Sequence, residues 1–328
     1  MRKRTEYGIN GTIRRIIVKE SYVQIGLCGV LPCVSAGTPQ ALQEGLDALA
    51  GAGFPAAEVD CAPELLDAAG WKALFGNERI LTGVSARDRA QARSAAQAGA
   101  KWITLPAKEA TEPIPGAMVI PFAGGAQEAR EAADENGGQA RSAEGVTLCC
   151  REDQAEAVLN ACPNARLLIS GCGDAAQCRN RLADPRVTAV KIPLSVRAGQ
   201  AAAQADELKR LWADTLGFTL AHVGINGQGP QDAEAVARAF SALLGVPCKP
   251  QIPSVFAGSF VEVMKRNGRG AHGHIGFATD DLARGMYYAE QAGFPFDPAS
   301  RRDDANGRPM LYYLAQDIAG FAVHLIQK

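Results

Sequence analysis

Histidine is missing from the first 221 residues of this 328-residue chain; its four copies, His222, His272, His274 and His324, all lie in the last third. That absence removes imidazole-based acid–base chemistry and thiol activation from the long N-terminal part. An excess of either charge is missing too. With 34 basic against 35 acidic residues, the net charge of −1 offers no electrostatic grounds for nucleic acid or an anionic membrane as partner. No apolar run approaches the roughly 18 residues that span a bilayer. No CxxC pair occurs among the nine cysteines, at 28, 33, 61, 149, 150, 162, 172, 178 and 248. This fits neither a zinc knuckle nor a disulfide framework, so reduced, buried thiols in a cytoplasmic protein are expected. The basic start, MRKRTEYGINGTIRRIIVKE, lacks the apolar centre and cleavage site of a secretory signal. Residues 1–23 read as a flexible extension, and a start codon placed upstream of the true one would look the same.

What is present suffices for two cores: 47% hydrophobic residues over 328 positions. From residue 24 to 216, short apolar runs alternate with Ala-rich amphipathic ones. The apolar runs are IGLCGVLP (25–32), AAEVD (56–60), RILTGV (79–84), KWITLP (101–106), AMVIP (117–121), GVTLCC (145–150), RLLIS (166–170) and VTAVKIP (187–193). Eight such strands with helices between them predict an α/β fold, a (β/α)8 barrel, whose continuous apolar strands suit a buried parallel sheet. The first helix opens with Thr38 as N-cap and Pro39 in the first turn, and Leu42, Leu46 and Leu49 share a face. The competing open sheet would carry GxGxxG after its first strand; that fingerprint is absent, and no nucleotide cofactor is expected.

Residues 218–328 contain an internal repeat and predict a second, α+β domain. AHVGI (221–225) mirrors GHIGF (273–277), a helix ending in Gly245 or Gly293 follows each, and GSFVEVM (258–264) mirrors GFAVHLI (320–326). Two copies of a βαβββ module account for the tail. Side chains alternate along a strand, so the histidine and glycine of each first strand share a face. Glu262 and His324 hold the same place in the two copies. If the halves pack about a pseudo-twofold axis, His222, Glu262, His274 and His324 converge. Three imidazoles and a carboxylate suit a divalent transition metal such as zinc, manganese, iron or nickel. Polar residues lining a binding cup are the alternative. His272, two residues before His274, is expected on the same face, as an outer partner of a ligand or as rim.

On these paired modules and ligand positions, residues 218–328 resemble the vicinal oxygen chelate superfamily, which includes glyoxalase and extradiol dioxygenase. The resemblance implies a cup with metal ligands from the first and last strands of each module, here His222, Glu262, His274 and His324. The last family ligand is commonly a glutamate; His324 replaces it and removes an oxygen base, which argues against isomerase chemistry.

The first part resembles the 2-keto-3-deoxy-6-phosphogluconate / 4-hydroxy-2-oxoglutarate aldolases through GLCGVLPCV, FPAAEVD, AGAKWITLP and ARLLISGCG. The resemblance implies a carbon–carbon lyase that forms an imine with a small 2-keto acid or sugar acid, and an oligomer, commonly a trimer. Fusion of such an aldolase to a module like the C-terminal one is a recognisable bacterial arrangement. Glu58 matches the catalytic carboxylate. The family's Schiff-base lysine on strand six is replaced, in GVTLCC, by Thr147. The arginine expected after Glu58 is missing, since the chain runs Asp60, Cys61, Ala62, Pro63. The phosphate cradle after strand eight is missing from VKIPLS. Gly171 and Gly173 of GCG are what remains of the phosphate loops, and a tight turn would look the same. Lys191, placed at the end of strand eight, is a relocated Schiff base, an edge salt bridge or a surface residue. Cys149 and Cys150 have no histidine to activate them and read as inert thiols. The functional expectation is an aldolase-family barrel with an eroded site, a pseudoenzyme, fused to a metal-binding module that takes a small oxygen-bearing ligand. The alternatives are an active pyruvate-forming aldolase using Lys191, and a metalloenzyme of isomerase or dioxygenase type acting through the C-terminal cup.

Overall fold

Apolar runs of five to ten residues can bury both faces only if they pair side by side under a cover of helices, and this one arrangement organises the N-terminal part. A computed structural model describes residues 25–60, 68–76, 79–135, 141–142 and 145–328. The expected extension at 1–23 and Cys61 lie outside the described residues. Strands β1 (Val30–Ala36), β2 (Ala56–Asp60), β3 (Leu81–Ser85), β4 (Trp102–Pro106), β5 (Met118–Ala123), β6 (Gly145–Arg151), β7 (Arg166–Ser170) and β8 (Val187–Val196) are all parallel. They run in the order β5-β4-β3-β2-β1-β8-β7-β6, and pairing of Phe122 with Cys149 between β5 and β6 closes the barrel.

The connecting helices are α1 (Pro39–Ala52), α2 (Ala68–Phe75), α3 (Arg89–Ala98), α4 (Ala126–Glu135), α5 (Ala155–Ala161), α6 (Ala175–Leu182) and α7 (Ala201–Thr215). In α1 the Thr38 hydroxyl accepts from the Ala41 amide at 3.2 Å, as its N-cap position predicts. Leu42, Leu46 and Leu49 are buried on one face, each contributing about 1.5–3 kcal/mol of apolar burial. Between β4 and β5 the chain makes a single 3-10 turn, Ala107–Glu109, in place of a helix. The prolines at 113 and 115 deny the following segment helical hydrogen bonds.

Residues 25–28, expected to begin the first strand, form a helical turn instead. Gly29 ends it at φ 73°, a conformation that suits glycine. The turn delivers Ile25 into the barrel interior, where it packs with Leu31, Ala56, Trp102, Ile120, Cys149, Leu168 and Ala189.

The chain divides into two compact units, one running through Trp212 and the other from Ala213 to Lys328. The division falls inside α7, a few residues before the expected junction at 216–218. The second unit is an eight-stranded mixed sheet. Its first module is β9 (Thr219–Asn226), α8 (Pro230–Leu244), β10 (Cys248–Pro250), β11 (Ser254–Ala257) and β12 (Val261–Met264). Its second is β13 (His274–Thr279), α9 (Leu282–Gln291), β14 (Arg302–Asp303), β15 (Pro309–Tyr313) and β16 (Ala322–Gln327). The order β10-β11-β12-β9-β13-β16-β15-β14 is symmetric about the central antiparallel pair β9/β13. Each module thus repeats βαβββ, as the internal sequence repeat predicts. Alternation assigns the two faces. Ile225, Val255 and Val263 pack with Ala233 and Ala237 of α8, and Phe277 and Leu325 with Leu282 of α9. The residues between them in sequence carry the opposite face.

Candidate functional site

On that opposite face the repeat brings three histidines and a carboxylate together. In the central pair, His222 stands opposite Gly276 and Gly224 opposite His274. The parallel neighbours complete the symmetry: Gly224 beside Glu262, Gly276 beside His324. The histidine–glycine spacing now has a steric reason. A Cβ at Gly224 would lie 2.0 Å from the His274 ring, and one at Gly276 would lie 2.7 Å from His324 and 2.8 Å from His222. Each glycine is the space that an imidazole from a neighbouring strand occupies.

His222 Nε2 lies 3.2 Å from His274 Nε2, 3.2 Å from His324 Nε2 and 3.5 Å from Glu262 Oε2. His274 Nε2 is 3.1 Å from the same oxygen. Donors bonded to one transition ion at roughly 2.0–2.2 Å sit roughly 3–3.5 Å apart, so the four atoms fit a single divalent ion. The electrostatics agree. Burial lowers the His222 pKa despite the nearby Glu262 carboxylate. Burial, then His222 and His274, push His324 down to about 3. Burial alone would raise Glu262, but hydrogen bonds from His274 and Ser254 hold its carboxyl below the ordinary value. Near neutral pH, His222 and His324 are neutral and Glu262 is ionised, which is the donor state a metal requires. The Ser254 hydroxyl donates to Glu262 Oε1 at 2.6 Å and leaves Oε2 facing the histidines.

His272 does not join them. It is exposed, in a turn that precedes β13, with its ring 5.6 Å from that of Phe321. The strand alternation invoked for it does not apply, because extended pairing begins at His274.

The barrel holds a second polar cluster. Lys191 is the fifth residue of ten in β8 and is buried, so the expectation of an edge salt bridge or a surface residue is corrected. Its Nζ lies 2.5 Å from Glu58 Oε1 and 3.8 Å from Cys149 Sγ. Glu58 is fully buried. Its other oxygen accepts from Trp102 Nε1 at 2.9 Å and from the Thr104 hydroxyl at 2.8 Å. Trp102 reaches it across Gly83, where a Cβ would lie 2.0 Å from the indole. Burial alone would lower the Lys191 pKa; Cys149, Cys33 and Glu58 outweigh it and hold the ammonium well above its ordinary value. Burial pushes the Cys149 thiol up to about 11 and the Cys33 thiol higher still. Cys150 is likewise pushed up by burial, to about 12.

Thr147 is buried on β6, two residues before Cys149 and so on the same strand face. Cys149 borders Lys191. In the GCG turn, Gly171 has φ 87°, and the Gly173 amide donates to the Gln177 side chain at 2.5 Å. Asp174 caps α6 there. Trp102, Thr104, Gly83 and Ser254 were not singled out from sequence. The signal available for Trp102 and Thr104 is their period-two spacing within KWITLP, which puts both on one face of β4.

No protein-family model matches the chain, and no curated protein matches it. Solved structures do. One is 2-keto-3-deoxy-6-phosphogluconate aldolase from Zymomonas mobilis, at 16% identity and TM-score 0.46, covering 56% of this chain and 94% of that one. Another is KDPG aldolase from Legionella pneumophila, at 15% identity and TM-score 0.44, covering 60% and 95%. A third is thiamine phosphate pyrophosphorylase from Pyrococcus furiosus, at 14% identity and TM-score 0.41, covering 60% and 100%. These are likenesses of fold and assign no activity.

Proposed function

We propose that the chain combines an aldolase-type barrel, eroded at its imine-forming position, with a C-terminal metal centre of the vicinal oxygen chelate kind that binds a small oxygen-bearing ligand. The observation that carries this is the approach of His222, Glu262, His274 and His324 to within one coordination sphere, from equivalent positions of two modules. A bound divalent ion would supply Lewis acidity toward oxygen ligands. The protein's own part is positional. Gly224 and Gly276 admit the rings, and Ser254 fixes the carboxylate. With a histidine at 324, Glu262 is the carboxylate of the set and is engaged as a ligand, so it is a poor choice of proton carrier. Elemental analysis of the purified chain tests this. About one zinc, manganese, iron or nickel per chain, lost from a His222→Ala, His274→Ala double variant, is expected; equal and negligible metal in both proteins after reconstitution would overturn it.

One observation favours a second function, in the barrel. Lys191 Nζ meets Glu58, the position that matches the aldolase carboxylate, so an amine and a carboxylate share one buried site. An imine with a 2-keto acid such as pyruvate would need the free amine, and the ion pair opposes its deprotonation. Borohydride in the presence of pyruvate decides between them. A stable adduct on Lys191 would establish the relocated lysine; an unmodified Lys191 leaves the barrel eroded.

A further inference from the structure

Besides Glu262 standing where the other module has His324, the two modules differ around the site in their aromatic neighbours and in one arginine. Phe256 is the cross-strand partner of Glu262, and Tyr313 is the cross-strand partner of His324 at the matching place. The Phe256 ring stands edge-on to His222 at 5.8 Å, and the Tyr313 ring lies 4.8 Å from His324 and 6.2 Å from His274. One flank of the site therefore carries a phenyl ring and the other a phenol. Arg269 lies on the phenol side, with Cζ 4.9 Å from the Tyr313 ring centroid.

Arg269 is held rather than loose. The Asn226 side chain donates to the Gly270 carbonyl and accepts from the Gly268 amide, both at 2.9 Å, pinning the backbone on each side of Arg269. Its Nη1 donates to Asp297 at 2.9 Å, while Nε and Nη2 make no hydrogen bond among the described residues. The side chain remains 48% exposed, so a ligand can reach these donors. A guanidinium presented in a fixed orientation, over an aromatic face beside a Lewis-acid site, suits a planar anion.

We propose that Arg269 is the anion-binding residue of the metal centre, and that the ligand is a small carboxylate. This rests on the metal-centre function proposed above. The carboxylate points toward Tyr313 and Arg269, and the apolar end of the ligand points toward Phe256.

The test uses the full chain loaded with cobalt(II), whose visible spectrum reports ligands entering its coordination sphere. Pyruvate is titrated against diacetyl, a neutral molecule with the same pair of vicinal oxygens. Arg269→Met is expected to weaken pyruvate binding about tenfold or more and to leave diacetyl within about twofold, with cobalt content unchanged. Asp297→Asn keeps Arg269 but removes its neutralising partner, and is expected to tighten pyruvate without moving diacetyl. It serves as the independent variant should Arg269→Met fail to fold. Equal effects on the two ligands, or none, with cobalt retained, would overturn the assignment of Arg269 alone. Failure of the wild-type chain to take up cobalt would overturn the metal centre and this inference with it.

Discussion

Gly224 and Gly276 carry no functional group, yet the site depends on them, because each lies where a neighbouring imidazole must pass. Gly276→Ala is expected to displace His324 and His222 together and to reduce metal uptake at least about tenfold, leaving the circular dichroism of the chain unchanged; the change is worth about 1.4 kcal/mol or more in binding. Elemental analysis beside the spectrum checks it. In the barrel the sensitive residue is Lys191. Lys191→Met leaves the fully buried Glu58 without its cation and is expected to destabilise the barrel by about 3–5 kcal/mol. The double variant Glu58→Gln, Lys191→Met is expected to recover most of that loss. Urea unfolding of the two single variants and the double one gives the comparison.

At the scale of elements, the repeat was the most legible feature of the sequence. AHVGI and GHIGF, with Glu262 and His324 at the same place in the mirrored runs GSFVEVM and GFAVHLI, were enough to expect the paired modules and the four converging groups. Strand alternation carried that inference, and alternation holds wherever the chain is paired. It failed for His272, which lies in the turn before pairing begins. The barrel strands were legible for the same kind of reason, since AAEVD and RLLIS match β2 and β7 residue for residue. The helical turn at 25–28 was not legible, because IGLC is apolar enough for either conformation and the deciding feature is the φ of Gly29. Nor was the Lys191–Glu58 pair. Residues 133 apart in sequence meet only through barrel closure, and no local pattern reports how far along its strand a lysine sits.

For the whole molecule, the buried histidines link stability to pH. His324 is held at about 3 in the folded chain, below the ordinary histidine value near 6.5. A depressed pKa contributes stability that is present above about pH 6.5 and is lost as pH falls toward 3, because the unfolded chain binds the proton first. The metal-free protein is therefore expected to lose on the order of 1 kcal/mol per pH unit below pH 6.5, a slope that His324→Gln reduces. Thermal unfolding across pH 4–8 in a chelator checks the sign. No described helix is long and apolar enough to cross a membrane.

The most direct test of the central claim is crystallographic. Crystals of the metal-reconstituted chain, measured on either side of the metal's absorption edge, locate the ion without reference to any assay. The prediction is one anomalous peak bonded to His222, Glu262, His274 and His324 at roughly 2.0–2.2 Å. A peak elsewhere, or none among these four residues at full metal loading, would contradict the account.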